Sequence, residues 1–397
     1  MKVCILMYRP APQDFRRLVV TNSIYKRYKN VSVLCTKQKG QEKKVTISGV
    51  CYYRLPLLSN IRNNMVNRNN IVIKLFNFIF FTILSFTTLS LLYIKKRYQV
   101  IHVHNPPDFI ILAAIPFKIF FNTKIVLDLH DMLPEAVSSN FGVDENHIFV
   151  KIARLIERFA IKYSDAIICT NNYDKKIILS RNNISPEKIF VVMNTPDLKL
   201  FEIEHVKKEF FGLENKFVIL FEGTIWKRRG IQTVIEAIEK LKDKIPIYFV
   251  ILGDGPDLDY LKSIVNDKNL NAFIEFTGWI DLKTLSKYIS ISDVCLIPFL
   301  KTRVNERGVP NKLFEYIVHE KPVIASKLTG MSLTFFDDEV LFFEPGNAND
   351  LAEKILWCYQ NPKEIKKLVE NAKQRYKKEY TWDKMEMELY ACYESVI

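Results

Sequence analysis

Several signatures of familiar enzyme classes are missing from this sequence. It has no Gly-x-Gly-x-x-Gly and no Gly-x-x-x-x-Gly-Lys-Ser/Thr, which disfavours nicotinamide-dependent enzymes and P-loop kinases. The seven cysteines (4, 35, 51, 169, 295, 358 and 392) are scattered and odd in number, and none form a Cys-x-x-Cys. That argues for a reducing compartment and against a structural zinc. No short repeat or low-complexity tract appears. Acidic residues are almost absent from the first hundred positions, where Asp14 and Glu42 stand against 18 Lys/Arg. Residues 101–200 balance at 11 each, so the chain's net charge of +13 comes from its first quarter. The amino terminus, MKVCILMY, reads as a strand rather than a signal peptide, and the expectation is a cytosolic protein.

What is present is globular: 397 residues, 48% hydrophobic and 25% charged, enough for two domains of about 200 residues. Apolar runs of four to eight residues alternate with helical stretches, which predicts βαβ units and parallel sheets. In the first half the strands are expected at 2–8, 31–35, 100–104, 124–128, 166–170 and 189–192, with helices near 15–28, 107–121, 148–163 and 172–182. In the second half they fall at 217–221, 247–252, 273–276, 294–297, 323–325 and 340–343, with helices near 230–242, 256–267, 281–290, 310–319 and 348–361. Two further helices, near 363–379 and 382–396, close the chain. The expected division is 1–200, 205–375 and a terminal helical segment, 376–397, that packs back across the domains. Two doubly wound sheets in tandem would place their strand ends at a shared cleft, where ligands of such sheets bind.

A basic block points to nucleic acid or to an anionic membrane. Its neighbour favours the membrane. Residues 71–94 are almost wholly apolar and stop at Lys95-Lys-Arg97. The run approaches spanning length, but Lys74, Asn77 and five Thr/Ser residues argue for a helix lying on a bilayer surface, with Arg54, Arg62, Arg68 and 95–97 meeting anionic headgroups. A buried core helix is the alternative.

The densest chemical pattern is Gly308-Val-Pro-Asn-Lys-Leu-Phe-Glu-Tyr316 followed by Lys321-Pro-Val-Ile-Ala325. Pro310 suits the first turn of a helix, Leu313 and Ile317 face a core, and Asn311, Lys312 and Glu315 share the opposite side. A helix start with a lysine suits a diphosphate, and a carboxylate one turn on can take a ribose diol. Thr224 and the run Lys227-Arg228-Arg229-Gly230 link a strand to a helix, where arginine can fork onto phosphate oxygens, although a basic loop also reads as merely solvated. Leu252-Gly-Asp-Gly-Pro256 offers Gly253 and Gly255 for close backbone approach. Asp257 and Asp259 read as acids of a first helical turn rather than as a metal site. Backbone around Gly278–Ile280 could meet a base edge. In the first half, His130 and Asp131 follow a strand, with Glu135 nearby, and His130 is the better catalytic candidate. His102 and His104 share a strand face, but no third ligand stands near them in sequence, so no metal is expected there.

These residues, in this order, resemble family 4 glycosyltransferases. Gly223 with Arg229-Gly230, Gly253-Asp-Gly-Pro256, Phe276-Thr-Gly278, Ser292-Asp-Val294 with Pro298, Pro310-Asn-Lys with Glu315-Tyr316, and Pro322-Val-Ile-Ala look like the carboxyl-terminal half. Asp14-x-Arg16, Leu129-His130-Asp131 and Asn194 with Asp197 and Phe201 are similar to the amino-terminal half. The resemblance implies the GT-B fold, two Rossmann-like domains facing a central cleft, and retention of anomeric configuration. It further implies Arg229, with Arg228 or Lys227, and Lys312 on a donor diphosphate, Glu315 on the ribose, backbone near Ile280 on the base, and His130 near the reaction centre. No metal or other cofactor is implied, and UDP is the expected nucleotide. Three positions depart from the family: Arg307 stands where a Glu is frequent (Glu306 is adjacent), Thr224 where an Arg is frequent, and Pro10-Ala-Pro12 where a glycine pair is usual. The expectation is a transferase moving a hexose or N-acetylhexosamine from a nucleotide sugar to a lipid-linked or polysaccharide acceptor at the inner membrane face, with no nucleic-acid partner. An epimerase of the same architecture and a non-catalytic basic scaffold are the alternatives.

Overall fold

Short runs rich in Val, Ile and Phe are buried on both faces, which is what parallel strands covered by helices require. The computed structural model describes residues 1–11, 14–57, 71–198 and 203–397; Pro12, Arg62, Arg68, Phe201 and the side chain of Lys74 lie outside them. The chain forms two α/β units, Met1–Met193 with Met385–Ile397, and Asn194–Lys384. The division therefore falls slightly before residue 200. The helix Trp382–Glu394 belongs from Met385 onward to the first unit. There Tyr390 donates to the Ser23 carbonyl at 3.0 Å and Lys26 meets Glu386 at 2.8 Å.

The first unit holds β1 (Lys2–Met7), β2 (Asn30–Thr36), β3 (Lys44–Ile47), β4 (Val50–Leu55), β5 (Val100–His104), β6 (Lys124–Leu129), β7 (Ala166–Cys169) and β8 (Ile189–Val191). Their order is β3-β4-β2-β1-β5-β6-β7-β8, parallel except for β3 against β4. That hairpin escapes a search for parallel units. Its signal is the pair Ser48-Gly49, both at positive φ (49° and 83°), as a two-residue hairpin turn needs. The apolar run forms the helix Ile71–Lys96, which is not a buried core helix, because many of its apolar side chains face out.

The second unit holds β9 (Phe217–Glu222), β10 (Ile247–Leu252), β11 (Ile274–Gly278), β12 (Val294–Ile297), β13 (Val323–Ser326) and β14 (Leu341–Phe343), all parallel, in the order β11-β10-β9-β12-β13-β14. Each sheet reverses direction of winding once, between β1 and β5 in the first unit and between β9 and β12 in the second. Ligands of open α/β sheets bind beyond the strand ends at such a switch point.

Candidate active site

In the second unit, β9 ends in Phe221-Glu222 and Gly223 follows with φ of +123°. A side chain at Gly223 would come within 2.6 Å of Lys312 Nζ, so glycine leaves the room that the ammonium fills. Lys312 lies in the helix Asn311–Val318, with its Nζ 4.5 Å from the Phe221 ring centre and 5.8 Å from that of Phe299. The Arg229 guanidinium sits 4.3 Å over the same Phe299 ring. Two cations from distant stretches thus share one aromatic floor, and a cation over a ring face is favourable. Leu313 and Ile317 are buried as the periodicity requires, Lys312 and Glu315 are half-buried, and Asn311 is exposed. Pro310 precedes the helix as its cap, in extended backbone (φ −74°, ψ 144°), rather than standing in its first turn. No side chain caps that start.

The electrostatics follow from crowding. Burial pushes the Lys312 ammonium down to about 8, helped by Arg229 and opposed by Glu222 and Glu315. Burial lifts the Glu315 carboxyl to about 8, reinforced by the charge of Glu222 and a hydrogen bond with it, and opposed by Lys312. A carboxyl so placed holds a proton at neutral pH. Glu222, one residue beyond the strand expected at 217–221, is the missed member of this cluster.

The basic turn Lys227–Arg229 is a single 3-10 turn closed by Gly230 (φ +71°), where a Cβ would stand 1.8 Å from the Pro298 carbonyl. The Arg228 carbonyl accepts from Leu300 N–H at 3.0 Å and from Asn305 Nδ2 at 2.8 Å, and the Arg228 guanidinium stacks 4.2 Å over Trp226. Asp257 does not cap its own helix; its Oδ2 accepts the Lys227 N–H at 2.7 Å, across two loops. Gly253 and Gly255 lie under the loop that carries half-buried Thr224: a Cβ on either would meet the Gly223 or Ile225 carbonyl at 2.0 or 2.2 Å. Ile280, half-buried, follows the edge strand β11, two strands out from β9 and so about 10 Å away. That separation suits a base at one end and a diphosphate at the other. Glu306 Oε1 accepts the Thr329 hydroxyl at 2.5 Å, and Arg307 is buried, its carbonyl against Gly330.

In the first unit a second cluster forms where β1, β5 and β6 end. His102 and His104, fully buried with ring centres 4.4 Å apart, converge with Asp128, whose Oδ2 lies 3.5 Å from His102 Nε2, 3.1 Å from His104 Nδ1 and 3.6 Å from His130 Nε2. The third group that the sequence did not offer His102 and His104 is therefore supplied by the fold. His102 Nδ1 also pairs with the Tyr393 hydroxyl at 2.8 Å, and His104 Nδ1 with His130 Nε2 at 2.8 Å. Arg16 donates to Asp128 Oδ1 at 3.3 Å and to the Val192 carbonyl at 3.1 Å. These three groups could hold a cation by distance alone, but Arg16 already neutralises the carboxylate.

Burial would raise Asp128, yet the His130 ring, Arg16 and hydrogen bonds from the two strand histidines hold it well below the usual carboxylate range. Burial, with His102 beside it, drives His104 down to about 3. Burial likewise drives His130 well below its ordinary value against the pull of Asp128. His130 is thus a neutral imidazole at pH 7, a hydrogen-bonding group rather than a cation. Asn105 fixes it: its Oδ1 accepts His130 N–H at 2.6 Å and Asp131 N–H at 3.3 Å, while its Nδ2 donates to the Asp131 carbonyl at 2.5 Å. Asp131 is exposed, and Glu135 is taken out of the site by Arg181, at 3.2 Å. Asp108 is raised to about 7, chiefly by burial. Asp128, Asn105 and Tyr393 were missed, because their neighbours come together only in the fold.

The chain is thus a pair of doubly wound α/β units, each with a charged cluster at its switch point. Residues 26–200 match the family model Glycosyltransferase Family 4, and residues 203–375 match Glycosyl transferases group 1. The chain belongs to the family 4-like glycosyltransferases. It is 27% identical over 246 residues to the UDP-Gal:alpha-D-GlcNAc-diphosphoundecaprenol alpha-1,3-galactosyltransferase of Escherichia coli, a match spanning 59% of each chain. It is 29% identical over 268 residues to an uncharacterised 41.2 kDa protein in the cps region of Klebsiella pneumoniae, covering 64% of this chain and 71% of that one. Among solved structures, sucrose-phosphate synthase of Thermosynechococcus elongatus superposes with a TM-score of 0.79 at 17% identity, over 99% of this chain and 98% of the other. Anabaena HepE in complex with UDP gives 0.74 at 13%, over the full length of both. These structures establish the GT-B fold.

Proposed function

We propose that the chain is a retaining glycosyltransferase, moving a hexose or N-acetylhexosamine from a UDP-linked sugar to a lipid-linked or polysaccharide acceptor in surface-polysaccharide biosynthesis. The observation that carries this is the meeting of Arg229 and Lys312 over Phe299, beside the proton-holding Glu315, at the switch point of the second sheet. Arg229 and Lys312 hold the diphosphate, with Arg228, Lys227 and Thr224 along the same loop and the amides at 311–312 adding the helix dipole. The floor of Gly253 and Gly255 lets backbone approach. Glu315 takes the ribose hydroxyls, and backbone at Ile280 reads the base. Neutral His130 orients a sugar or acceptor hydroxyl, with exposed Asp131 beside it.

In the transfer, the acceptor oxygen forms its bond to the anomeric carbon as the bond to the phosphate oxygen breaks. The acceptor proton passes to that departing phosphate, on the same face. Stabilisation of the leaving diphosphate by Arg229 and Lys312 is the main protein contribution, and no metal is required. The relatives' names support this reading, as does the UDP held by the Anabaena structure of the same fold. The reading places the enzyme in the cytoplasm, peripheral on the inner face of the membrane. In support, the helix segment Leu75–Lys96 is long and apolar enough to cross a bilayer (mean hydropathy 1.9) and only 28% buried. Calorimetry with UDP and GDP on wild type and Glu315→Ala tests the donor site. Binding of UDP, lost in the variant, is expected; binding of neither nucleotide would overturn the reading. Nuclear magnetic resonance of the product's anomeric proton tests retention.

A further inference from the structure

The helix Ile71–Lys96 carries more apolar side chains than its buried face holds. Phe81, Leu89 and Tyr93 are buried together with Asn77, Thr82 and Ser85, while Ile79, Ile83, Phe86, Leu91 and Ile94 are exposed, Ile94 by 77%. The helix Ile115–Phe121 continues that surface: Phe117 and Phe121 pack on Tyr93 at 4.8 and 4.9 Å, leaving Phe120 75% and Phe121 60% exposed. Between the two helices runs an open groove of about 1040 Å³ walled by Phe86, Ile94, Phe117, Phe120 and Phe121. Its charged side chains are Arg97 and Lys124, and Val396 and Ile397 complete the lining. On the other side of the 3-10 turn Asp108–Ala113, which packs on both neighbours, the helix Ile148–Tyr163 exposes Ile148, Ile152, Leu155 and Phe159 at helical spacing. Lys151, Arg154, Arg158 and Lys162 follow the same spacing one residue before or three after each apolar position. Parallel apolar and basic stripes are the pattern of a helix lying in a bilayer interface, and an exposed apolar face this wide is rare on a soluble monomer.

We propose that the groove binds the hydrocarbon chain of an anionic bilayer phospholipid, whose phosphate rests on Arg97 and Lys124. This rests on the membrane-peripheral reading above and goes beyond it in naming a site and its ligand. A bilayer lipid fits better than the acceptor's own tail because of position. Arg97 precedes β5 and Lys124 opens β6, at the amino ends of strands whose carboxyl ends carry His104 and lead to His130. Four residues of β5 separate the two ends by about 13 Å. Two cations beside an apolar groove would give anionic lipid its preference over neutral lipid.

The test uses the full chain with an added reporter. The native tryptophans (Trp226, Trp279, Trp357 and Trp382) all lie in the second unit, so Phe120→Trp adds the only reporter in the groove. Its added fluorescence should be quenched by vesicles of brominated-acyl phosphatidylglycerol and much less by brominated phosphatidylcholine. Paired Ile94→Glu and Phe120→Glu, at sites exposed enough to spare the fold, should weaken vesicle partitioning by about tenfold or more. Their melting curve and UDP affinity should match wild type, which separates failure of this inference from failure of the donor site. Absence of quenching would overturn the proposal, as would equal quenching by neutral lipid. Quenching only after a polyprenyl-linked acceptor is added would assign the groove to that tail instead.

Discussion

Lys312 and Glu315 stand one helical turn apart, and each titrates against the other and Glu222. The Lys312 ammonium, held down to about 8, is lost as pH rises past that value, so affinity for UDP should fall through pH 8. Lys312→Arg should keep it flat over the same range, because guanidinium stays charged. Lys312→Ala should weaken UDP binding by about 10- to 100-fold at pH 7, the worth of a charge-assisted contact. Glu315 is protonated in the fold up to about 8 but ionises in the unfolded chain near the ordinary glutamate value of 4.5. Its stabilisation is therefore full below pH 4.5 and is lost as pH rises towards 8. Thermal melts of wild type should show that decline, and Glu315→Gln should flatten it. For His130, replacement by Ala should leave UDP affinity unchanged while cutting transfer by about 100-fold.

At the scale of elements, the loops that follow β9, β10 and β11 are stacked backbone on backbone. Gly253 (φ +138°) and Gly278 (φ +75°) are bridged, N–H to carbonyl, at 2.9 Å. A Cβ at Gly253 would stand 2.0 Å from the Gly223 carbonyl, whereas one at Gly278 meets nothing within 4 Å. Gly253→Ala should thus lower stability by ~1–3 kcal/mol and impair UDP binding, while Gly278→Ala should cost only its backbone strain, about 1 kcal/mol. Differential melts with and without UDP distinguish the two. The parallel strands were legible because a strand buried on both faces is a continuous apolar run, as in Phe217–Glu222 and Ile247–Leu252. The hairpin of β3 and β4 was not, since Lys44–Ile47 alternates polar and apolar with a basic start. The helices Leu133–Phe141 and Arg303–Arg307 were equally hidden, being short.

At the scale of the molecule, two charged clusters sit on two sheets, and neither needs a cation to balance it. Asp128 has Arg16, and the Glu222–Glu315 pair has Lys312 and a proton. Transfer activity should therefore survive exhaustive chelation, and a loss restored by one divalent metal would assign the His102–His104–Asp128 group to that metal. The C-terminal helix is part of the same logic. Tyr393, 291 residues away in sequence, closes the buried histidine pair from behind at 2.8 Å.

The sequence by itself determined what local chemistry can specify. Alternating apolar runs made two parallel α/β units, and Lys312 and Glu315 shared a helix face because they are three residues apart. The uneven charge and the run at 71–94 singled out one face of the first unit. Only the tertiary structure decided what depends on distant chain meeting. It brought Arg229 and Lys312 onto one ring, set Glu222 against Glu315, gave His102 and His104 their Asp128, and left the outer apolar side of helix Ile71–Lys96 uncovered. The physical reason is that hydrophobic periodicity records which face of an element is buried, but not which partner it is buried against. The desolvation that retunes Lys312, Glu315 and His130 comes wholly from those partners.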